Sequence, residues 1–546
     1  MIMDINHIKR LSMKKILINI GLVLGLFSML FFNACKEKID PIVEELDFDR
    51  AFTPVGLSAQ ISNITTVTLS WATVKNAAHY VIEIYDGIDF TPAALVYTAD
   101  VAGDLTTFSY VLPAGDADFS ARIKAISSLT GVAESKWLGI GFRTAPENLF
   151  KGYESIMTGL GSCTVEWLPG ATATALAFYN GVTVVSYPLT AGEISAGKKE
   201  LTGVPNGQYE IRLMNSTFVR GRTKLVIEGD ALLASGGNLN DALDALSSGS
   251  VLILENGGHY ALTEPDTVTA SIKIRGLYPD NLPVIFLATG GGNHMFDIDP
   301  ALTPSDSLIF ENVDISCYYD DAGVTRHRGV IDQEATAMNI GKIRFINSII
   351  RNSGRSAIRL RGNGGQVIHL VEFNKCLMYD FAFDSHYGVL NGAATGNFIN
   401  IKFINTTVAN IRGGIINYGS GAGCESVVIG DCTFDRITMD PSSARYFIDF
   451  GTTGNTSAGS ITINNCIFGQ TSPIANGVRN NLMSLAITGS YYTSDFVNVS
   501  GSIAPSMTAY AGPSTALWTV PAAYDFNFLD LFFTGKDSAG DPRWRP

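Results

Sequence analysis

The chain has 546 residues, a length that predicts two to four domains. Hydrophobic residues make up 46% of it, charged residues only 16%, and 55 residues are glycine, which favours stacked strands and turns over helical bundles. The formal net charge of −13 argues against nucleic acid as a partner, because phosphate binding needs a basic surface, and against a purely electrostatic attachment to anionic lipid.

The N-terminal segment has the pattern of an export signal. Lys14 and Lys15 precede an apolar run that ends in Phe32-Asn33-Ala34-Cys35. A positive region, an apolar region and a small residue before a cleavage point are typical of secretion. This ending resembles the lipobox of bacterial lipoproteins, which implies that residues 1–35 are a signal peptide and that Cys35 is lipidated. The alternative is a single membrane-spanning anchor, for which an apolar run of about 17 residues is at the short limit.

The residues after Cys35 predict a tether. Residues 36–50 are acidic and contain Pro41, a composition typical of a solvated linker. Their start, Lys36-Glu37-Lys38, resembles the charged export signals of surface-displayed lipoproteins in starch-utilisation-type systems of Gram-negative bacteria. The resemblance implies an outer membrane lipoprotein exposed at the cell surface and attached through its lipid anchor only. It also implies other glycan-utilisation surface proteins as further partners. Met1 and Met13 both stay open as the initiator.

Two small β-sandwiches are predicted next. Residues 51–146 alternate apolar and polar positions, as in Val67-Thr-Leu-Ser-Trp71, which is typical of antiparallel strands. The segment resembles a fibronectin type III domain, since Trp71 and Tyr80 sit where that family keeps its core aromatics. A second, less typical immunoglobulin- or fibronectin-like sandwich is predicted over residues 147–229. Exposed aromatics of either sandwich could form a carbohydrate platform, but core packing explains them more simply. We therefore interpret both domains as spacers.

A repeated pattern in the second half of the chain predicts a solenoid. Short period-2 apolar strands are each closed by Asn or Asp, residue types that tolerate a left-handed turn, at residues 308–312, 343–347, 401–405, 427–431 and 461–465. Such units cannot bury an apolar face alone, but each can bury it against the next copy. Because every unit consists of strands and turns, the sequence predicts a parallel β-helix.

A second strand recurs in the same units, with two apolar positions and one polar position. The number of residues from this second strand to the first strand of the next unit is nearly constant, as from Ile331 to Ile343 and from Leu360 to Val371. The number of residues from the first strand to the second strand of the same unit varies. Long loops at about residues 317–328 and 436–446 therefore enter the same strand from the same side. Variable loops on a constant scaffold are where a fold usually keeps its function.

Both ends of the solenoid carry signals of their own. Residues 239–246 are apolar at i, i+4 and i+7, which predicts an amphipathic helix that caps the open end. From here the chain resembles pectate-lyase-like right-handed β-helix proteins over residues 230–505. Residues 506–546 resemble the C-terminal tail of β-helix lipoproteins from polysaccharide-utilisation systems, and we expect this tail to pack on the helix. The predicted fold is all-β: two sandwich modules, then a right-handed parallel β-helix with an N-terminal capping helix.

The cysteines of the solenoid follow the turn position. Cys376, Cys432 and Cys466 come just after it, which predicts an inward-facing stack in which buried thiols behave as small hydrophobes. Cys432 and Cys466 lie in consecutive coils, where strand spacing of about 4.8 Å could just admit a disulfide, so their redox state stays open.

The resemblance to pectate-lyase-like proteins implies a carbohydrate-facing role on one outer strand face. Arginine suits the carboxylate or sulfate of an acidic sugar because its fork binds two oxygens. The sequence places an outward polar column on the second strand, with arginines just upstream; its members are Asp332, Arg361, Asn391, Asn417 and Asp449. The predicted substrate-binding residues are Arg326, Arg328, Asp332, Arg355, Arg359, Asn391, Asn417, Arg445 and Asp449. In the simplest alternative Asp332 pairs with Arg361 across adjacent coils and the asparagines form an amide ladder.

Three functions stay open at this stage. The first is capture of an acidic polysaccharide by a surface lipoprotein, with no cofactor. The second is a polysaccharide lyase of the pectate, alginate or chondroitin type, with Arg361, His386 and Tyr387 as catalytic candidates and calcium as an optional cofactor. The calcium-binding Asp set and the Arg-x-Pro-x-x-Arg signature of pectate lyases are absent from the sequence. The third is a structural or adhesive surface protein.

Overall fold

The computed structural model describes residues 48–290, 292–318, 326–334, 336–361, 365–392, 396–418, 423–451, 459–503 and 506–546, without the side chains of residues 152–154. The predicted signal peptide, Cys35 and nearly all of the tether lie outside the described residues. The chain forms two compact units, one ending with Asp116–Ala145 and the other comprising Pro113–Gly115 and Pro146–Pro546. Each unit is described below by itself.

The first unit is an antiparallel β-sandwich. One sheet contains Ser58–Ser62, Thr66–Ser70 and Thr107–Val111, and the other contains Leu95–Ala102, Ala77–Asp86, Asp118–Ser127 and Leu138–Arg143. A short 3-10 helix spans Pro92–Ala94. Trp71 and Tyr80 are buried, and their rings meet edge to face with centroids 5.3 Å apart. The alternating pattern therefore predicted both the sandwich and its core aromatics.

The second unit opens with another antiparallel sandwich. Its sheets contain Phe150–Gly159, Ser162–Trp167 and Lys198–Leu201 on one side, and Ala175–Tyr179, Val184–Pro188, Gly207–Asn215 and Phe218–Ile227 on the other. Helix α1, Ala191–Ala196, begins with a capping box formed by Thr190 and Glu193. The core of this sandwich includes Ile253 and Leu277, which belong to the first coils of the solenoid. The sandwich therefore packs directly against the start of the solenoid.

The solenoid is a parallel β-helix whose described strands form three sheets. Sheet 1 contains Ala231–Leu233, Ser250–Leu254, Ile272–Gly276, Ser307–Glu311, Met338–Ile346, Gln366–Asn374, Asn397–Ile404, Ser426–Gly430, Ser460–Asn464 and Ser484–Thr488. Sheet 2 contains His259–Leu262, Val284–Leu287, Asp314–Ser316, Ile349–Ser353, Leu377–Phe381, Thr407–Ile411, Thr433–Asp435, Ile467–Phe468, Tyr491–Tyr492 and Thr508–Ala509. Sheet 3 contains Asp266–Val268, His294–Ile298, Gly329–Gln333, Ser356–Leu360, Leu390–Gly392, Ile416–Tyr418, Tyr446–Asp449 and Asn476–Arg479.

The turn from sheet 1 to sheet 2 is the most regular feature of the coils. From Ser307–Glu311 onward, the residue after each sheet 1 strand takes a left-handed backbone, and it is usually Asn or Asp, as at Asn347 with φ 46° and Asn405 with φ 52°. These side chains tolerate the conformation because they can hydrogen-bond locally. The predicted turns are confirmed. Lys375, with φ 57°, is an exception in residue type.

Aromatic and thiol side chains stack inside the coils. Phe310, Phe345, Phe373 and Phe403 are fully buried on consecutive strands of sheet 1, and the three successive centroid distances are 5.1, 5.1 and 4.9 Å. Cys376, Cys432 and Cys466 are buried at the position after the turn, as predicted, and all are free thiols. The inward stack therefore supplies the continuous core that a single coil lacks.

Short elements close the two ends of the β-helix. Helix α2, Leu239–Asp244, begins at the N-cap Asn238 and buries Leu239 and Leu243 in the solenoid core, as expected of a capping helix. The C-terminal segment contains helix α3, Ser514–Leu517, strands Trp518–Val520 and Asp525–Phe528, and 3-10 helices Pro521–Ala523 and Pro542–Trp544. Its Trp518 and Phe526 pack with Ala409 and Ile467 of sheet 2. The tail therefore covers part of the outer side of that sheet.

Candidate functional site

The outer side of sheet 3 carries the polar column that the sequence predicts, with one change of register. Strand pairing aligns Asp332, Arg359, Asn391, Asn417, Asp449 and Arg479. The spacing of the sequence predicts Arg361 in this column, and that prediction is wrong, because Asp332 lies opposite Arg359. Ile358, not Leu360, lies opposite Ile331, and a slip of two residues keeps every side chain on the same face. Arg361 therefore still projects outward, just beyond the end of its strand.

Among the described residues, one buried carboxylate is surrounded by three arginines. The carboxylate is that of Asp332, which is only 1% exposed. Arg361 donates to it at 2.8 Å, whereas the nearest nitrogens of Arg359 and Arg355 lie 3.7 and 3.8 Å from its oxygens. Arg361 also binds the exposed Glu334 at 2.6 Å. Asp332 therefore makes its short contacts with Arg361, and Arg355 and Arg359 keep donors beyond hydrogen-bond distance of it.

Arg328 lies on the preceding coil, beside Arg355. The backbone N–H of Arg355 donates to the carbonyl of Arg328 at 2.9 Å. In the described part of the chain, the guanidinium of Arg328 makes no hydrogen bond or ion pair. It therefore adds another cation with open donors next to the group around Asp332.

A loop over residues 382–388, between sheets 2 and 3, brings aromatic side chains to these arginines. Arg359 lies over the ring of Tyr387, 4.2 Å from its centroid, and donates to the Tyr387 hydroxyl at 3.2 Å. Arg326 lies 4.0 Å over the ring of Phe383. The loop can approach the next coil closely because a Cβ at Gly413 would lie 2.3 Å from the Tyr387 carbonyl oxygen. Tyr387 is thus held against Arg359.

His386 is the exposed neighbour of Tyr387. Burial lowers its pKa, and the nearby charges of Arg445 and Arg412 lower it further, whereas Asp440 opposes them. Arg445 itself donates to Asp440 at 3.0 Å. Burial raises the pKa of Asp440, but hydrogen bonds from Ser442 and Arg445 outweigh it and bring the pKa to about 2. His386 is therefore a neutral imidazole at neutral pH, next to an ionised pair.

At the other end of the column, around Asp449 and Arg479, the charged side chains are paired more completely. Arg479 binds both oxygens of Asp449, at 2.7 and 2.6 Å, and lies 4.4 Å over the ring of Tyr446. The amide of Asn391 accepts from Arg359 at 3.3 Å and donates to the backbone carbonyl of Asn417 at 3.3 Å. Arg479 is not among the residues predicted from the sequence, although Val478-Arg479 repeats the apolar and polar ending of the other coils. The column therefore runs from a cation-rich end to a balanced one.

The three catalytic candidates, Arg361, His386 and Tyr387, differ in their ability to accept a proton. Burial lowers the pKa of Arg361, but the hydrogen bonds and charges of Asp332 and Glu334 outweigh it, so the pKa is raised overall. A guanidinium in this position stays protonated and can hold an anion, but it has no lone pair with which to accept a proton. Tyr387 contacts Arg359 rather than Arg361. His386 and Tyr387 are the groups that retain the chemistry of a base.

A metal-binding cluster and a membrane-spanning helix are both missing from the described residues. Within them, no group of three or more His, Cys, Asp or Glu side chains is arranged to hold a metal ion. None of the helices in this part of the chain is long and apolar enough to cross a membrane.

Comparisons with known proteins concern the sandwich fold. No protein-family model matches the chain, and no curated protein matches it either. Among solved structures, a two-domain fibronectin type III segment of chicken tenascin aligns with 17% identity, covers 32% of this chain and 98% of its own, and has a TM-score of 0.21. Fibronectin domains 1–3 of chicken CNTN1 align with 16% identity, cover 34% of this chain and 73% of their own, and have a TM-score of 0.17. The fold assignment rests on the strand pairing given above.

Proposed function

We propose that the protein captures an acidic polysaccharide on the outer side of sheet 3. The observation that carries this function is the excess of arginine around Asp332. Only Arg361 makes short contacts with that carboxylate, while Arg355 and Arg359 stand 3.8 and 3.7 Å from it. Two guanidinium groups beside one already paired carboxylate favour an incoming anion. The protein as a whole is acidic, so this attraction is local.

Neighbouring groups suit the rest of a sugar chain. Tyr387 offers an aromatic ring beside Arg359, and Asn391 and Asn417 follow on the next coils of the same column. Aromatic faces and amides are the groups that contact the C–H face and the hydroxyls of a pyranose. Successive coils lie about 4.8 Å apart, so a polysaccharide running along the column would meet one polar side chain per coil.

The proposed location is the cell surface of a Gram-negative bacterium. Its support is the lipobox-like ending at Cys35 and the charged residues that follow it. Lipid on Cys35 would be the only membrane attachment, and other glycan-utilisation proteins would be neighbours on that surface. Replacing Cys35 by Ala should release the protein from the membrane fraction into the soluble fraction. Unchanged detergent partitioning of the variant would contradict lipidation.

The binding function is tested by removing the two arginines that Asp332 does not engage closely. The double variant Arg355→Gln and Arg359→Gln should abolish binding of acidic glycans to this face, because each charge-assisted contact is worth about 1.5–3 kcal/mol. Polygalacturonate, alginate and chondroitin sulfate serve as probes, with a neutral glucan for comparison. Arg344→Gln is the matched control, since it removes an arginine from sheet 1 that is paired with Glu372 at 2.8 Å. Equal binding by wild type and double variant would rule out this site.

A polysaccharide lyase at the same place is the second candidate. The observation in its favour is the Tyr387 hydroxyl, which accepts from Arg359 at 3.2 Å beside a neutral His386. In β-elimination, Arg359 would hold the uronate and one of the two side chains would remove the C5 proton. The C4=C5 double bond would form as the C4–O bond breaks, and the leaving sugar oxygen would take a proton from the other side chain or from water. Tyr387→Phe and His386→Gln should then depress formation of unsaturated product more than affinity. Binding without such product favours the capture function, and absence of binding favours a structural or adhesive role.

A further inference from the structure

A cleft of about 540 Å³ opens at the corner between sheet 1 and sheet 2, and no residue that lines it belongs to sheet 3. Its lining includes turn residues of consecutive coils, Asn312, Asn347, Lys375 and Asn405, and the C-terminal residues 541–543. Small-molecule sites typically have volumes of roughly 300–1,000 Å³. The cleft therefore has the size of a ligand site and lies apart from the arginine-rich face.

Lys375 occupies the position that neighbouring coils give to asparagine. Its backbone is left-handed, with φ 57°, as are those of Asn347 at 46° and Asn405 at 52°. Asparagine and aspartate are enriched in this conformation, whereas lysine gains nothing from it. The turn alone therefore favours asparagine here, yet the residue is an exposed lysine that lines the cleft.

The C-terminal tail is fixed as the wall beside Lys375. Thr407 donates to the Asp541 carboxylate at 2.8 Å, and the Trp544 indole donates to Thr407 at 2.7 Å. Arg543 donates to the carbonyl of Lys375 at 2.7 Å. These bonds hold the guanidinium of Arg543 next to the lysine, on a segment that has no regular strand pairing with sheet 1.

The charges of the cleft are unequal. In the described part of the chain neither Lys375 nor Arg543 forms an ion pair. Glu311 is engaged by Lys273 at 3.0 Å and by Arg275 at 3.6 Å. Asp541 is 2% exposed, and it accepts from Thr407 and from the backbone N–H of Arg543. Lys375 and Arg543 therefore share one end of the cleft, and the carboxylate that lies near Arg543 there is the buried Asp541.

Amides line the cleft on the coils around these cations. Asn347 donates to the Asn312 side chain at 2.8 Å, which leaves its own carbonyl oxygen as an acceptor. Asn405 follows one coil beyond Lys375. Coils repeat about every 4.8 Å, which is comparable to the length of one pyranose unit in an extended chain. We propose that the cleft binds a carboxylate-bearing saccharide, with its carboxylate at Lys375 and Arg543 and its hydroxyls at Asn347 and Asn405. This site goes beyond the sheet 3 function and is independent of it.

The test uses calorimetric titration of the full-length protein in non-ionic detergent with trigalacturonate. Wild type should show two classes of site, and the Arg355→Gln and Arg359→Gln background should retain one of them. Lys375→Asn in that background should weaken the remaining site at least tenfold, as should Arg543→Gln. Lys342→Asn, which removes an exposed charge from sheet 1 outside the cleft, should leave it unchanged.

Lys375→Asn also separates binding from folding. Asparagine suits the left-handed turn better, so the variant should unfold at a higher temperature than wild type while it binds less. Loss of all binding in the Arg355→Gln and Arg359→Gln background would overturn the cleft site and leave the sheet 3 function standing. Full retention of wild-type binding by Lys375→Asn together with Arg543→Gln would also overturn it.

Two further probes define the ligand. Galactotriose, the neutral analogue, should bind the cleft at least tenfold more weakly than trigalacturonate, because it lacks the carboxylate. Inorganic sulfate should also bind more weakly, because it lacks the hydroxyls that the amides would contact. Sulfate binding as tight as that of trigalacturonate would overturn the saccharide assignment and reduce the cleft to an anion site.

Discussion

Two outer faces of the same β-helix carry ladders of acidic and basic side chains, but they balance these charges differently. On sheet 1, Lys273 lies 2.8 Å from Glu228 and 3.0 Å from Glu311, and Arg275 lies 2.7 Å from Glu228. Bases and acids alternate there and pair with one another, as Arg344 also does with Glu372. On sheet 3, Asp332 faces three arginines and makes short contacts with only one.

The comparison shows that strand chemistry alone does not mark a functional face. Both faces have long charged side chains at equivalent outward positions of stacked strands. A ladder of alternating charge neutralises itself and is only weakly stabilising. A surplus of one sign leaves donors open to a ligand, and it is this surplus that distinguishes sheet 3.

Both faces lie on one common core, and we expect the core, rather than the outward side chains, to supply most of the stability. Phe403→Ala should therefore lower the free energy of unfolding by roughly 3–5 kcal/mol, because it leaves a cavity in the phenylalanine stack. Its outward neighbour Lys402 should tolerate Ala within about 0.5 kcal/mol. Denaturant melts measure both values. Equal sensitivity of the two positions would contradict the separation of core and face.

Removing the carboxylate of Asp332 should increase the difference in charge balance between sheet 3 and sheet 1. Asp332→Asn should lower the free energy of unfolding by about 1.5–3 kcal/mol, because Arg361 loses a charge-assisted bond. The same change should strengthen binding of acidic glycans, because more positive charge is left unbalanced. Glu372→Gln on sheet 1 is the control and should not change glycan affinity. Weaker binding by Asp332→Asn would break the comparison.

Acid titration tests the paired end of sheet 3 through Asp440. Its pKa is about 2, below the ordinary value of 3.8, so its ionised form stabilises the folded state. That contribution is complete above about pH 4, declines as the pH falls toward 2, and is absent below it. Asp440→Asn should therefore be less stable than wild type at pH 7, and the difference should vanish near pH 2. A difference independent of pH would show that the carboxylate charge is not involved.

The smallest effect is expected on the balanced face. Arg344 pairs with Glu372 at 2.8 Å, and its side chain is 31% exposed. Arg344→Gln should cost only about 0.2–1 kcal/mol of stability, because partly exposed ion pairs are screened by water and salt. Chemical denaturation in low and high salt measures this cost. A loss as large as that of Asp332→Asn would mean that the two faces do not differ in kind.

The sheet 1 register could be predicted because two local signals coincide in each coil. Apolar residues alternate, and an Asn or Asp such as Asn347 or Asp431 closes the strand. The sheet 3 strands have only the first signal. With Ile358 and Leu360 both apolar and two residues apart, nothing in the sequence selects between them, and the prediction takes the wrong one. A turn residue of restricted conformation is what fixes the register.

The contacts around the candidate site could not be predicted from the sequence. Arg326, Arg359 and Arg412 come from different coils, yet all three contact the loop over residues 382–388. No local pattern encodes such contacts, because they depend on the path of the loop. The paired glycines Gly413-Gly414 were an available signal, since glycine often marks a close approach of two backbones.

The constant turn also has an evolutionary consequence. From Ser307–Glu311 onward, successive coils offer the next one a left-handed corner, such as Asn405 or Asp431, and a large apolar side chain two residues before it, Phe403 or Ile429. A small residue follows each of these two corners. A segment duplicated between two such corners would meet copies of interfaces that already exist, and its loops would remain outside. The number of coils is therefore a quantity that unequal recombination can change without redesigning the core, and with it the length of the polar column on sheet 3.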